Sequence, residues 1–130
     1  MTLPTSRFDY LALVPAARDL GVVHFIAIGG AGMSGVARVL IAQGISVTGS
    51  DARDSAVVAA LAEAGARVWI GHDAAHVEGA DTVVVSSAIR EDNPELAAAR
   101  AGGLRILHRS QALAATMTDT HWRIAVAGAN

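Results

Sequence analysis

Residues Gly29, Gly30, Ala31, Gly32, Met33, Ser34 and Gly35 carry glycines at 30, 32 and 35, the spacing GxGxxG. Where such a run joins a strand to a helix, it suits a phosphate anion. The first glycine permits a tight turn, the second lets backbone approach a pyrophosphate with no Cβ in the way, and the third lets the helix pack on the strand. Unsatisfied N–H groups and the positive helix end then receive the anion. Asp51 stands 21 positions beyond Gly30 (51 minus 30), where an acceptor for a ribose hydroxyl is expected. A plainer reading gives the glycines only a turn and close packing, and makes Asp51 a helix cap together with Asp54 and Ser55.

Further along, Ser86, Ser87, Ala88 and Ile89 offer two hydroxyls beside an apolar residue suited to the face of a planar base. The serines would otherwise satisfy their own loop. His72 and His76 are four apart, a spacing that can bind zinc on a helix, but no third ligand is obvious and 71–79 reads as a loop, so no metal site is expected. His24 lies in an apolar run and reads as a hydrogen-bonded structural histidine. Glu91 and Asp92 most simply decorate the start of a helix. Arg53 and Arg109 are candidate anion contacts, equally readable as solvated side chains. No nucleophile paired with a base and no pair of carboxylates stands out, so the residues describe a binding surface.

The elements that must position these residues alternate. Short β-branched runs predict six strands, over 22–28, 46–50, 67–70, 82–86, 105–108 and 123–127, separated by Ala-rich segments. The first and fourth are almost continuously apolar, as central strands of a parallel sheet are when helices cover both faces. Helices are predicted from Gly32 to Gln43, from Ser55 to Ala64 with Gly65 as terminator, from Asn93-Pro94-Glu95 to Gly102 or Gly103, and from Ser110. The expected fold is therefore α/β, a single Rossmann-like domain with a doubly wound, mainly parallel sheet. Loops after the first and fourth strands then lie together where the winding reverses. Residues 1–21 read as an N-terminal extension, partly helical around Tyr10 to Leu13; 22–121 form the binding domain, and 122–130 hold a last strand.

At 130 residues, one core-bearing domain is expected. Hydrophobic residues make up 52% and charged residues 17%, yet no apolar run reaches the roughly 18 residues of a membrane helix. A net charge of -2 with scattered basic residues argues against a nucleic-acid surface. Cysteine is absent, which excludes disulfides and thiolate chemistry and fits a cytoplasmic setting; no secretory signal is read at the N-terminus.

The segments HFIAIGGAGMSGVA, VTGSD, IGHDAAHVEGAD, VVSSAIREDNPELAAAR and ILHRSQALA resemble, in order and spacing, the first domain of Mur ligases that join L-alanine to UDP-N-acetylmuramate. The likeness runs from about His24 to Gly128 and is far more specific than GxGxxG alone. A related ligase, which recycles murein tripeptide, has a similar outline but typically departs at the glycine loop and the SSAI segment. The resemblance implies that UDP-N-acetylmuramate is the ligand, with Gly29 to Ser34 at its diphosphate and Ser50, Asp51 and Ser86 to Ile89 around ribose and uracil. It also implies a central domain for ATP and magnesium and a third for the amino acid. In the family, strand six leads into AGTHGKTTT, whereas this chain ends Ala127, Gly128, Ala129, Asn130, without the phosphate-binding lysine or the magnesium-ligating hydroxyl. On that reading the chain holds no cofactor itself, is a piece of a longer ligase, and does not ligate alone. Competing readings are an NAD-binding oxidoreductase domain, which leaves SSAI unexplained, and a non-catalytic nucleotide sensor.

Overall fold

The computed structural model describes Phe8 and residues 13–118. Five strands, β1 (Val23–Ile26), β2 (Val47–Asp51), β3 (Arg67–Ile70), β4 (Thr82–Val85) and β5 (Arg105–His108), pair in parallel in the order β3-β2-β1-β4-β5. β1 and β4 are buried at every residue, which explains why their sequences are apolar except for His24 and Thr82. Winding proceeds outward from β1 on one side and from β4 on the other, so a crevice opens between their carboxyl ends.

Helices α1 (Ala31–Ala42), α2 (Ala56–Ala64) and α3 (Pro94–Ala101) lie in crossovers between the described strands, and α4 (Arg109–Met117) follows β5. The period-2 alternation of β1 divides the core. Phe25 faces α1, α2 and α4 with Leu40, Leu61 and Ala112, whereas Ile26 faces α3 with Val83, Val85 and Leu96. Phe25, Leu40 and Leu61 are fully buried, and each contributes on the order of 1.5–3 kcal/mol.

Local chemistry sets the helix ends. Ser55 Oγ accepts from the Val58 N–H at 3.1 Å, and Asn93 Oδ1 accepts from Glu95 and Leu96 N–H, with Pro94 opening α3. Gly65, at φ 123, ends α2 where a side chain would be strained.

Several boundaries differ from expectation. β1 stops at Ile26 because Ala27 takes a left-handed φ of 64, although the Ile28 N–H still donates to Ser50 O at 2.9 Å. α1 begins at Ala31 and α4 at Arg109, each one residue early. The loop 71–79 contains a 3-10 turn, Ala74–Val77, capped by Asp73. Before β1, a 3-10 turn, Ala17–Asp19, leads to the fully buried Leu20, and Phe8 is buried as well. The expected strand at 123–127, and the expected helical turn except for Leu13, lie outside the described residues.

Candidate functional site

The cleft at the winding reversal has a volume of about 420 Å³. Gly30, Ala31, Gly32 and Met33 form one wall, Ser86, Ser87 and Ala88 the opposite one, and His108 and Arg109 the third side. Gly30 is the N-cap of α1 and offers no side chain to cap it, so the first-turn amides of Ala31, Gly32 and Met33 have no intrahelical partner. Those amides and the helix dipole make that wall electropositive. The Arg109 side chain lies against the same wall: a Cβ at Gly32 would sit 2.8 Å from Arg109 Nη1. Gly32 thus permits the close approach of the Arg109 side chain. Gly35 does not serve helix packing as expected, because a Cβ there would meet nothing within 4 Å.

The serine loop is joined to β5 through His108. His108 Nδ1 accepts from the Ser110 N–H at 3.2 Å and lies 2.8 Å from Ser110 Oγ. Its Nε2 therefore carries the proton and donates to Ser87 Oγ at 3.2 Å. Gln111 Oε1 closes the other half of this cap, accepting from the His108 N–H. Burial, and then the adjacent Arg109 guanidinium, lower the His108 pKa below its ordinary value of 6.5, which favours the neutral ring this arrangement requires. Phe8 packs edge-on against that ring at 5.1 Å. Sequence reasoning had no signal for His108 beyond its position at a strand end.

Other expected site residues stand behind the cleft wall. Asp51 Oδ2 accepts from the Gly29 N–H at 2.8 Å, and its Oδ1 accepts from the Arg53 N–H, so this carboxylate braces the glycine loop and does not cap α2. A Cβ at Gly29 would collide with it at 2.8 Å. Ser50 is fully buried and donates its hydroxyl to Glu95, away from the cleft. Ser34 Oγ donates back to Ala31 O within α1. Ile89 packs on the core beneath α3 instead of presenting an open face. Glu91 and Asp92 form exposed ion pairs with Arg100 and Arg90, so they do more than decorate a helix end.

Glu95 was legible only as a favourable charge at the start of α3, yet it is fully buried. His24, His72 and His76 all turn to it, which confirms His24 as a structural histidine and supplies His72 and His76 with the acidic partner the sequence did not reveal. Among the described residues no group of His, Asp or Glu is arranged to hold a metal ion. No helix among them is long and apolar enough to cross a membrane.

Comparison with known proteins places this geometry. The family described as "Mur ligase family, catalytic domain" matches residues 22–121. A UDP-N-acetylmuramate–L-alanine ligase from Nocardioides sp. is 59% identical over 116 residues, covering 89% of this chain and 26% of that protein. Its counterpart from Renibacterium salmoninarum is 62% identical over 111 residues, covering 85% of this chain and 23% of the relative. The chain thus spans about a quarter of the length of these relatives. Among solved structures, a UDP-N-acetylmuramate–alanine ligase from Thermotoga maritima superposes with a TM-score of 0.69 at 34% identity, over 73% of this chain and 22% of the other. A murein peptide ligase from Psychrobacter arcticus gives 0.68 at 30% identity, over 72% and 20%. On the match over residues 22–121 and these identities, the chain belongs to the Mur ligase family.

Proposed function

We propose that this chain holds the UDP end of UDP-N-acetylmuramate for a ligase that adds L-alanine during peptidoglycan precursor synthesis in the cytoplasm. One observation carries the proposal: the uncapped amides of α1, the Arg109 side chain and the hydroxyl-bearing loop at Ser86 and Ser87 converge on a single cleft. The amides of Ala31 to Met33 and the Arg109 guanidinium receive the diphosphate as charge-assisted donors. Ser86 and Ser87 offer hydroxyls to the ribose and uracil side.

The chemistry of such a ligase is activation of the muramyl carboxylate by ATP to an acyl phosphate, then attack by the amino group of L-alanine with loss of phosphate. ATP and Mg²⁺ would be held by other parts of a longer protein, as the chain spans about a quarter of the length of its ligase relatives. The contribution of this chain is orientation, since a fixed nucleotide end restricts where the carboxylate can lie. An NAD-binding role is less well supported, because the family matching residues 22–121 and the relatives at 59% and 62% identity are ligases.

Competition titration tests the proposal. UDP and UDP-N-acetylmuramate should displace one another from a single site, and Arg109→Ala should weaken both about tenfold, or roughly 1.4 kcal/mol. Affinity unchanged in that folded variant would refute the assignment of Arg109 to the diphosphate.

A further inference from the structure

Glu95 sits in the first turn of α3 with its side chain fully buried, and donors from four directions surround its carboxylate. Oε1 accepts from His24 Nε2 on β1 at 2.5 Å and from Ser50 Oγ on β2 at 2.7 Å. Oε2 accepts from His76 Nδ1 at 2.9 Å, the Asp73 N–H at 3.1 Å and His72 Nδ1 at 3.3 Å. The Thr48 hydroxyl lies 2.7 Å from His24 Nδ1, so β2 holds the other side of this ring as well. Trp69 stacks on His76 at 4.6 Å and Arg67 lies over Trp69, closing the β3 side.

Stability alone rarely calls for such a group, because apolar side chains of similar volume usually serve as well as a buried charge and its partners. Burial pushes the Glu95 carboxyl pKa up, but hydrogen bonds from His24, Ser50 and His76 outweigh that and hold it at about 2, so the group stays charged.

Ser50 is the link to the cleft. Its carbonyl accepts from the Ile28 N–H at 2.9 Å, and the next residue, Asp51, accepts from the Gly29 N–H at 2.8 Å through Oδ2 and from the Gly71 N–H at 2.7 Å through its carbonyl. The glycine loop therefore hangs from the end of β2, and Glu95 anchors that end. We propose that Glu95 is a positioning residue for the glycine loop, acting through Ser50 and Asp51 without meeting the ligand. The proposal rests on that loop being the diphosphate seat, and deepens it by naming what holds the seat in place.

Amide hydrogen exchange followed by NMR, with UDP titration beside it, tests this on the same chain. Glu95→Gln keeps the shape but puts an NH₂ where one acceptor oxygen stood. The expected result is exchange at the Gly29 amide at least about tenfold faster relative to Val84 in the central strand, with UDP affinity weakened about tenfold. Exchange at Gly29 that is unchanged, or faster only in proportion to Val84, would overturn the proposal. Should Glu95→Gln not fold, Ser50→Ala cuts the link, removing its contact to His72 at 3.0 Å but leaving those of His24 and His76 to Glu95, and the same amide comparison decides. A wild-type chain that fails to bind UDP would remove the nucleotide reading, while the exchange comparison would still decide the role of Glu95.

Discussion

Gly32 and Arg109 meet across the cleft mouth, where any added side chain would fall between the guanidinium and the α1 amides. Gly32→Val should therefore weaken UDP-N-acetylmuramate binding tenfold or more, about 1.4 kcal/mol, while circular dichroism shows the fold retained. Equal affinity in the folded variant would remove the glycine loop from the site. Gly32 was legible as special from the motif spacing, whereas Gly29 lies outside that spacing and its close approach to Asp51 emerges only in the structure. Ser50 and Ile89 were legible only as polar and apolar residues in the right neighbourhood. The direction of each side chain is set by the strand's alternation and by partners far along the chain, Glu95 for Ser50 and the α3 core for Ile89. Asp51 shows the same limit: its spacing from the glycines was readable, but its partner, the Gly29 N–H, was not.

The elements themselves followed from period and caps. Continuous apolar runs yielded the central strands, and Ser55 and Asn93 marked helix starts because their side chains satisfy first-turn amides. Asn93→Ala should cost about 1 kcal/mol, read as a lower urea midpoint with an unchanged slope. A larger loss falls on β2. A Cβ at Gly49 would lie 2.6 Å from Ile28 Cδ1 and 2.9 Å from Ile28 Cβ, with fully buried Ile28 hemmed in by the core. Gly49→Ala should destabilise the fold by about 1–3 kcal/mol, and a neutral result would mean that Ile28 repacks freely. The end of β1 was misjudged by two residues because nothing in Ala27 announces a left-handed φ; the turn into the glycine loop imposes it. The 3-10 turn at Ala74–Val77 escaped for a related reason, its cap being a single Asp73 in a polar stretch.

For the whole molecule, two buried groups set the response to acid. His108 has a folded pKa below 6.5, lowered first by burial and then by Arg109, so the unfolded chain takes up this proton first. Stability should be fully present above pH 6.5 and decline as pH falls through that value toward the folded pKa. Glu95, held at about 2 against 4.5 when unfolded, adds a second loss as pH falls from 4.5 toward 2. Thermal unfolding across pH should show both, and His108→Asn should flatten the upper one. A sheet assembled in this order opens a crevice at β1 and β4, and the central claim is that the crevice holds the UDP end of a muramyl nucleotide. Calorimetric titration of the chain with UDP-N-acetylmuramate, beside NADH and UDP-glucose under the same conditions, tests it most directly. Binding of both UDP ligands at one site, in preference to NADH, is the predicted result; selective binding of NADH, or no preference between it and the UDP ligands, would contradict it.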